Sequence, residues 1–280
     1  MIVSFWSIAP ASSGITTNLA AIASCLAAHT NKRIVAFENH TGGQMGIEEI
    51  FLSNKPKVLR EDPKPYYYNS QGLDRLYKVL HAGLSEDDAG DTEMPVLKGS
   101  LNVLTGSFGS NPAMFDYEMN SVIDKLLLNL QKRYEYVFAD TKPTESLSTK
   151  YILGASDVVV VNINQDEAQF AEFMENYAVI FPKALFVINK YDPSLKFNVD
   201  KIKERFNIPE EQIAIVKECS AVPLLCSQGR IAHYVAKHMS MPRNKLTGEY
   251  LDDIQKVTRK LVRYANKRRR AYCLSQALTG

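Results

Sequence analysis

Short apolar stretches alternate with longer amphipathic stretches along most of the chain. The apolar stretches are rich in Val, Ile and Phe, which is typical of strands buried on both faces of a sheet. The predicted strands are MIVSFWSIA (1–9), KRIVAFEN (32–39), SLNVLTGS (100–107), YEYVFAD (134–140), DVVVVNIN (157–164), KALFVINKYD (183–192) and QIAIVKE (212–218).

The amphipathic stretches between these strands predict helices with one apolar face. They are GGQMGIEEIFLS (42–53, a short helix) and residues 16–29, 72–84, 116–134, 145–156, 166–181, 198–207, 227–239 and 249–278. Strands that alternate with helices predict an α/β fold with a doubly wound, mostly parallel sheet flanked by helices. We expect a main domain at 1–248 and a C-terminal helix at 249–280 that packs on it.

Two segments interrupt this alternation. Residues 53–72 contain three prolines and the run YYY (66–68), and we predict an irregular excursion there. The tyrosines fit either a partner-binding patch or aromatic packing of the loop against the body. Residues 85–95, SEDDAGDTEMP, predict an acidic loop.

Composition favours a folded cytoplasmic protein. Apolar residues make up 45% and charged residues 23% of the 280 residues, close to the globular average. The four cysteines have no metal-ligand spacing and indicate free thiols in a reducing compartment. We predict neither a signal peptide nor a transmembrane helix from the apolar runs.

The net charge of +2 is unevenly distributed. Residues 256–270, KVTRKLVRYANKRRR, contain eight Lys or Arg and no acidic residue, so the remainder of the chain carries −6. Apolar residues keep a helical spacing through this segment, which favours a docked terminal helix with a solvated basic face. Attachment to an anionic membrane surface and non-specific DNA binding are the two functional alternatives. The dense acidic run is at 85–93, and pairing of this run with the basic segment would cancel its attraction to outside anions.

The turn after the first strand has the outline of a phosphate-binding loop. Such a loop follows a strand and opens a helix with the residues G-K-[ST]-[ST], whose backbone N–H groups and lysine hold the phosphates. Here the corresponding residues are Gly14, Ile15, Thr16 and Thr17, so the lysine position is occupied by isoleucine. An ordinary strand-to-helix turn is the alternative interpretation of this stretch.

Further motifs make the chain resemble the ParA/MinD family of deviant-Walker P-loop ATPases over about residues 1–240. That family's loop reads K-G-G-x-G-K-[ST]-[ST], where this chain has PASSGITT (10–17), so Pro10 and Ile15 replace the two lysines. The family's D-x-D after the second strand corresponds to Glu38, Asn39 and His40. The stretch YEYVFADTKP (134–143) resembles the family strand that ends in D-T-x-P, with Asp140 in place.

Two later segments add to the resemblance. VINKYDP (187–193) is similar to the strand whose asparagine, here Asn189, lies near the nucleotide base in the family. SAVPLLCSQGRIAHYV (220–235) is similar to the segment that packs near the adenine through Pro223. Asn189 is equally compatible with a loop-capping role.

The resemblance implies a degenerate Walker A site that binds ATP or ADP with Mg²⁺ weakly or not at all. The implied nucleotide-binding residues are Ser12, Ser13, Gly14, Ile15, Thr16, Thr17, Asn189 and Pro223. Thr16 and Asp140 would hold Mg²⁺. If the site were active, Asp140, His40 and Glu38 would be the catalytic candidates. Hydrolysis is not expected, because phosphoryl transfer depends on positioning and neutralising the γ-phosphate.

We therefore predict a ParA/MinD-like positioning or assembly protein that acts through partner binding. The TadZ/CpaE-like pilus-assembly branch is the most similar, and pilus, secretion or conjugation machinery would supply the partners. A homodimer and a peripheral position at the inner face of the membrane are compatible with this hypothesis. The alternatives are a divergent active ATPase for partitioning or polar localisation, and a DNA- or membrane-binding accessory protein that uses residues 256–270.

Overall fold

The protein forms one large sheet with helices on both faces. In a computed structural model, the described residues are 1–9, 13–40, 46–52, 72–83, 92–106, 111–143 and 146–279, with side chains described up to residue 271. Within them the strands are β1 (Ile2–Trp6), β2 (Ile34–Asn39), β3 (Glu93–Leu97), β4 (Leu101–Leu104), β5 (Tyr136–Thr141), β6 (Val158–Asn164), β7 (Ala184–Asn189) and β8 (Ile213–Val216).

These strands form a sheet with the order β3-β4-β2-β5-β1-β6-β7-β8. Neighbouring strands pair in parallel, except that β3 runs antiparallel to β4 at the edge. Chain order reverses on the two sides of β1, so this is a doubly wound sheet, as predicted. In such sheets ligands bind beyond the carboxyl ends of the strands, near the point where the order reverses. That point lies between β1 and its neighbours β5 and β6.

Helices cover both faces of the sheet. They are α1 (Ile15–His29), α2 (Ile47–Phe51), α3 (Gly72–His81), α4 (Pro112–Arg133), α5 (Leu147–Ala155), α6 (Glu167–Asn176), α7 (Val199–Phe206), α8 (Val222–Ser227), α9 (Ile231–His238) and α10 (Gly248–Thr279). Several begin at a polar cap, as Asn111 does for α4, where its side chain accepts a hydrogen bond from Ala113 N–H. Within the described residues, no helix combines the length and the apolar character needed to cross a membrane.

The edge strand β3 corrects the sequence-based prediction. Residues 85–95 were predicted to form an acidic loop, yet Glu93–Leu97 pairs with β4. Pro95 lies in this strand, and an edge strand tolerates proline because one side of its backbone has no neighbour. The register shifts between Pro95 and Leu97. Glu93 is held by an ion pair to Arg133 of α4 at 2.6 Å.

Two further differences concern helix lengths. The helix predicted at 166–181 ends at Asn176, and a 3₁₀ helix follows at Ala178–Lys183. Pro182 lies in that 3₁₀ helix, whose tighter turn replaces the predicted α-helical continuation. The tyrosine run at 66–68 and most of the acidic run at 85–93 lie outside the described residues.

The long C-terminal helix α10 is part of the main core. Leu251, Ile254, Val257 and Leu261 are buried in the same apolar cluster as α1 and one face of the central strands. Burying such side chains contributes roughly 1.5–3 kcal/mol each. The apolar side of this helix therefore packs on the main domain, as expected for a docked terminal helix with a solvated basic face.

Candidate functional site

The turn between β1 and α1 supplies a helix N-terminus at the carboxyl edge of the sheet. Gly14 has a φ of 69°, a left-handed conformation that favours glycine, and its carbonyl accepts the first bond of α1, from Asn18 N–H at 2.9 Å. Ser13 is buried, whereas Thr16 and Thr17 are partly exposed. Pro10, Ala11 and Ser12 lie outside the described residues, so the predicted role of Ser12 stays a prediction.

A buried network of asparagines holds this turn from below. Asn189 donates from Nδ2 to the Ser13 carbonyl at 2.6 Å. Asn18 donates from Nδ2 to Asn189 Oδ1 at 2.6 Å and to Asn162 Oδ1 at 2.7 Å. Asn189 at the end of β7 therefore stabilises the turn by a hydrogen bond. Of the two roles considered for Asn189, loop capping and a position near a nucleotide base, this contact is the loop-capping one. The sequence analysis did not predict a role for Asn18 or Asn162. The available signal was that each is a polar residue within an otherwise apolar stretch, TTNLAA and VVVVNIN.

Ile15 occupies the lysine position and packs against the core. Its partly buried side chain packs against the apolar cluster that includes α1 and the central strands. Thr17 Oγ1 lies 3.9 Å from Cys226 Sγ of α8, so α8 flanks the first turn of α1. Pro223 lies at the start of α8 and is exposed. The turn thus offers backbone N–H groups and hydroxyls to an anion, and an apolar side chain where a lysine would be.

Glu38, His40 and Asp140 come together beside this turn. Glu38 and Asp140 lie opposite each other in the register of β2 and β5, so both side chains leave the same face of the sheet. His40 follows β2, with Nδ1 3.2 Å from Glu38 Oε1 and Nε2 3.6 Å from Asp140 Oδ1. One side-chain atom from each residue lies within 4.8 Å of the others. The structure therefore brings together the three residues predicted as catalytic candidates.

The electrostatics of this cluster disfavour two full negative charges. The pKa of Glu38 is raised to about 7, chiefly by burial and also by the charge of Asp140, against the lowering effects of His40, Ile47 N–H and Lys142. Asp140 is only 1% exposed, and neither of its carboxylate oxygens has a hydrogen-bond donor among the described residues. An unpaired carboxylate in such a place is costly unless a cation or a proton compensates it.

This arrangement fits a nucleotide only in part. The N-terminus of α1 contributes about 0.3–1 kcal/mol to a bound anion at an exposed site, and no lysine adds to it at position 15. The carboxylates of Glu38 and Asp140 repel phosphates unless a cation lies between them. A carboxylate and a hydroxyl are suitable ligands for Mg²⁺, and both Thr16 and Asp140 lie at this edge. If a nucleotide binds here, Mg²⁺ would link its phosphates to these residues.

A second charged surface lies at the opposite edge of the sheet. Lys260 of α10 donates from Nζ to the carbonyls of Glu210 and Ile213, both at 2.6 Å, at the amino end of β8. Lys267 pairs with Glu211 at 2.7 Å. Arg268 donates to the carbonyls of Asp157 and Pro182, which precede β6 and β7. Within the described residues, the acidic partners of residues 256–270 are Glu210, Glu211 and Asp253. Most of the 85–93 run lies outside the described residues, so its pairing with this segment is not tested.

Other cations of this segment project outward. Arg259, Arg263, Arg269 and Arg270 are exposed and have no acidic partner in the part of the chain that the structure describes. A groove of about 460 Å³ is lined by Glu211, Lys256, Arg259, Lys260, Arg263, Tyr264 and Lys267. The helix is therefore anchored by some of its basic residues and presents the rest to solvent.

Comparisons with known proteins identify the fold. No protein-family model and no curated protein sequence matches the chain. Among solved structures, the septum site-determining protein MinD from Pyrococcus horikoshii, complexed with Mg-ADP, superposes with a TM-score of 0.65 at 12% identity, covering 95% of this chain and 98% of that one. A ParA family ATPase from Chlorobium tepidum gives 0.64 at 13% identity, covering 90% and 96%.

The MinC:MinD cell division complex from Aquifex aeolicus gives a TM-score of 0.62 at 13% identity, covering 93% of this chain and 95% of that one. At identities this low, the superpositions establish a shared fold and nothing more. The chain therefore has the P-loop fold of the ParA/MinD type over most of its length, as the loop and strand-end motifs predicted.

Proposed function

Starting from this fold, we propose that the protein is a ParA/MinD-like positioning or assembly protein with a degenerate nucleotide site. The observation that carries the proposal is Ile15, whose partly buried side chain packs against the apolar core at the position where the family resemblance requires a phosphate-binding lysine. The protein binds ATP or ADP with Mg²⁺ weakly or not at all and acts by binding partners.

The chemistry of the site supports this proposal. Acceleration of phosphoryl transfer depends on cations that neutralise charge developing on the phosphates. Beside the turn stand the acidic side chains of Glu38 and Asp140, and His40 contacts both. His40 could orient a water molecule for a divergent active ATPase, which is the alternative function. That alternative lacks both lysines of the family loop, since Pro10 and Ile15 stand at their positions, so we favour the non-catalytic role.

Partners are proposed by analogy with the fold. The Aquifex structure shows a MinD protein assembled with a second protein, MinC. For this chain we propose protein partners in a membrane-associated pilus, secretion or conjugation machine, as in the TadZ/CpaE-like branch. A homodimer would have to form without the signature lysine, since Pro10 stands at that position.

We expect wild-type protein to bind a fluorescent ATP analogue with a Kd weaker than about 0.1 mM in Mg²⁺ and to release phosphate at the background rate. Ile15→Lys should tighten binding about tenfold or more, because a hydrogen bond to a charged group contributes about 1.5–3 kcal/mol. Equilibrium fluorescence titration measures the first effect, and steady-state phosphate release measures the second.

Ile15→Met is the matched control, because methionine has a similar length and no charge. It should bind the analogue as weakly as the wild type. Phosphate release by the wild type that disappears in Asp140→Ala would establish the active ATPase instead. Equal affinities of the lysine and methionine variants would show that position 15 does not face the phosphates.

A second function, polyanion binding, is favoured by the exposed cations of α10. Arg259, Arg263 and Arg270 project from the edge opposite the nucleotide site and lack described acidic partners. Exposed charges are screened over about 8–10 Å at physiological salt, so binding through them would be steeply salt-dependent. We propose that this face binds an anionic membrane surface or non-specific DNA while the apolar face holds the helix on the body.

Replacing Arg259, Arg263 and Arg270 together with glutamine is expected to abolish binding to anionic liposomes or DNA and to leave stability within about 0.5 kcal/mol. Co-sedimentation and mobility-shift measurements at low and physiological salt test the binding, and thermal unfolding tests the stability. Lys98, Lys237 and Lys245, all exposed elsewhere, provide a triple-glutamine control with the same net charge. Equal loss in both triple variants would indicate an effect of net charge alone.

A further inference from the structure

The carboxylate of Asp140 is buried at this edge of the sheet, and the described residues provide no hydrogen-bond donor to it. It is 1% exposed, and neither oxygen receives a hydrogen bond within the described part of the chain. Buried carboxylates in proteins are ordinarily hydrogen-bonded, paired with a cation or bound to a metal. The described side chains therefore supply no hydrogen-bond donor to this carboxylate.

His40 does not fill this need as a hydrogen-bond donor. Its Nε2 is 3.6 Å from Asp140 Oδ1, which is too long for a hydrogen bond. Its Nδ1 is 3.2 Å from Glu38 Oε1, yet Nδ1 is buried and makes no hydrogen bond of acceptable geometry. The imidazole is 8% exposed, and its two nitrogens lie at ion-pair distance from the two acidic side chains without a hydrogen bond to either.

The spacing of the three residues is close to that of ligands around one cation. One atom from each of Glu38, His40 and Asp140 lies within 4.8 Å of the others. In a tetrahedral site with ligands about 2.0–2.2 Å from the ion, two ligand atoms are about 3.3–3.6 Å apart, so the most widely spaced pair would have to close by somewhat more than about 1 Å. The register of β2 and β5 fixes two of the ligands on a rigid sheet.

We propose that Glu38, His40 and Asp140 bind one divalent transition-metal ion directly, without a nucleotide. One imidazole and two carboxylates form a ligand set suited to ions such as Zn²⁺ or Co²⁺, whereas Mg²⁺ favours oxygen ligands and water. Three protein ligands leave a coordination position open. This site goes beyond the proposed function, since it differs from a Mg²⁺ site formed by Thr16, Asp140 and nucleotide phosphates. The charge of the bound metal ion would compensate the carboxylate of Asp140.

The test uses the full chain, treated with a chelator, dialysed, and titrated with Zn²⁺, Co²⁺ or Mg²⁺ in separate nucleotide-free experiments. Calorimetry should show one Zn²⁺ per chain, bound at least about 100-fold more tightly than Mg²⁺. Bound Co²⁺ should give a visible spectrum without a thiolate charge-transfer band, which distinguishes this site from the cysteines. His40→Ala and Asp140→Asn should each weaken Zn²⁺ binding at least about tenfold.

His233→Ala removes an exposed histidine of α9 and should leave Zn²⁺ binding unchanged. Circular dichroism checks the fold, and His40→Gln replaces the alanine variant if that one does not fold. The proposal is overturned if the wild type binds no Zn²⁺, if both ligand variants bind it as the wild type does, or if Mg²⁺ binds equally tightly. Because no nucleotide is present, none of these results bears on the degenerate ATP site.

Discussion

At pH 8 and in the presence of a chelator, Glu38→Gln is expected to raise the free energy of unfolding by about 3 kcal/mol. The pKa of Glu38 is about 7 in the folded protein, mainly because of burial, against an ordinary pKa of 4.5. Keeping the carboxylate ionised in the folded state above pH 7 therefore costs about 3 kcal/mol relative to the unfolded chain. Glutamine has a similar shape and removes that cost.

The effect has a defined pH dependence. Between pH 4.5 and about 7, the folded state holds a proton on Glu38 that the unfolded state has lost, so the stability of the wild type falls as pH rises. The titratable and charged groups around this carboxyl are His40, Asp140 and Lys142. Glu49 is also near, since its Oε2 and Glu38 Oε2 both lie next to the position that a Cβ on Gly46 would take. Glu38→Gln should lack this pH-dependent loss, so the difference in free energy of unfolding between the variant and the wild type should shrink to under about 1 kcal/mol at pH 5.

Urea denaturation of both proteins at pH 5 and pH 8 measures this difference. Glu175→Gln, at an exposed position of α6, is the control and should change stability by less than about 0.5 kcal/mol at either pH. An advantage of the same size at both pH values would mean that the effect does not come from ionisation. A variant less stable than the wild type at pH 8 would contradict the buried position of Glu38.

Asn18→Ala is expected to lower the free energy of unfolding by about 3 kcal/mol and to loosen the turn before α1. The substitution leaves Asn162 Oδ1 and Asn189 Oδ1 buried without the Nδ2 donor that now contacts them at 2.7 Å and 2.6 Å. Each unsatisfied buried group costs about 1–3 kcal/mol. Asn189 also bonds the Ser13 carbonyl, so the disturbance should reach the turn.

Chemical denaturation measures the stability change, and hydrogen exchange at the first amides of α1 reports on the turn. Asn266→Ala, at an exposed position of α10, is the matched control and should be neutral on both measures. A loss below about 1 kcal/mol, or unchanged exchange near Gly14, would mean that the asparagine network does not hold the turn.

The sequence by itself determined the main fold and the character of the loop. Seven apolar stretches predicted seven of the eight strands, because strands buried on both faces must be apolar over their whole length. The position of Gly14 between a strand and a helix predicted the turn that the structure shows. Ile15 stands where the resembling family has a lysine, and the degenerate nucleotide site that this implies stays a prediction.

Tertiary structure decided what depends on residues far apart in the chain. β3 was missed because its pairing with β4 at an edge, and not its own composition, makes it a strand. Glu38 and Asp140 are brought together by the register of two strands, and Asn18, Asn162 and Asn189 by three different elements.

The basic segment shows the same division. Its charge is evident from the sequence, but the partners of Lys260, Lys267 and Arg268 are backbone carbonyls and glutamates at the amino ends of β6, β7 and β8. Local sequence specifies which groups carry charge. Only the packing of α10 against the sheet decides which charges are compensated and which remain exposed, because that depends on distances the sequence does not contain.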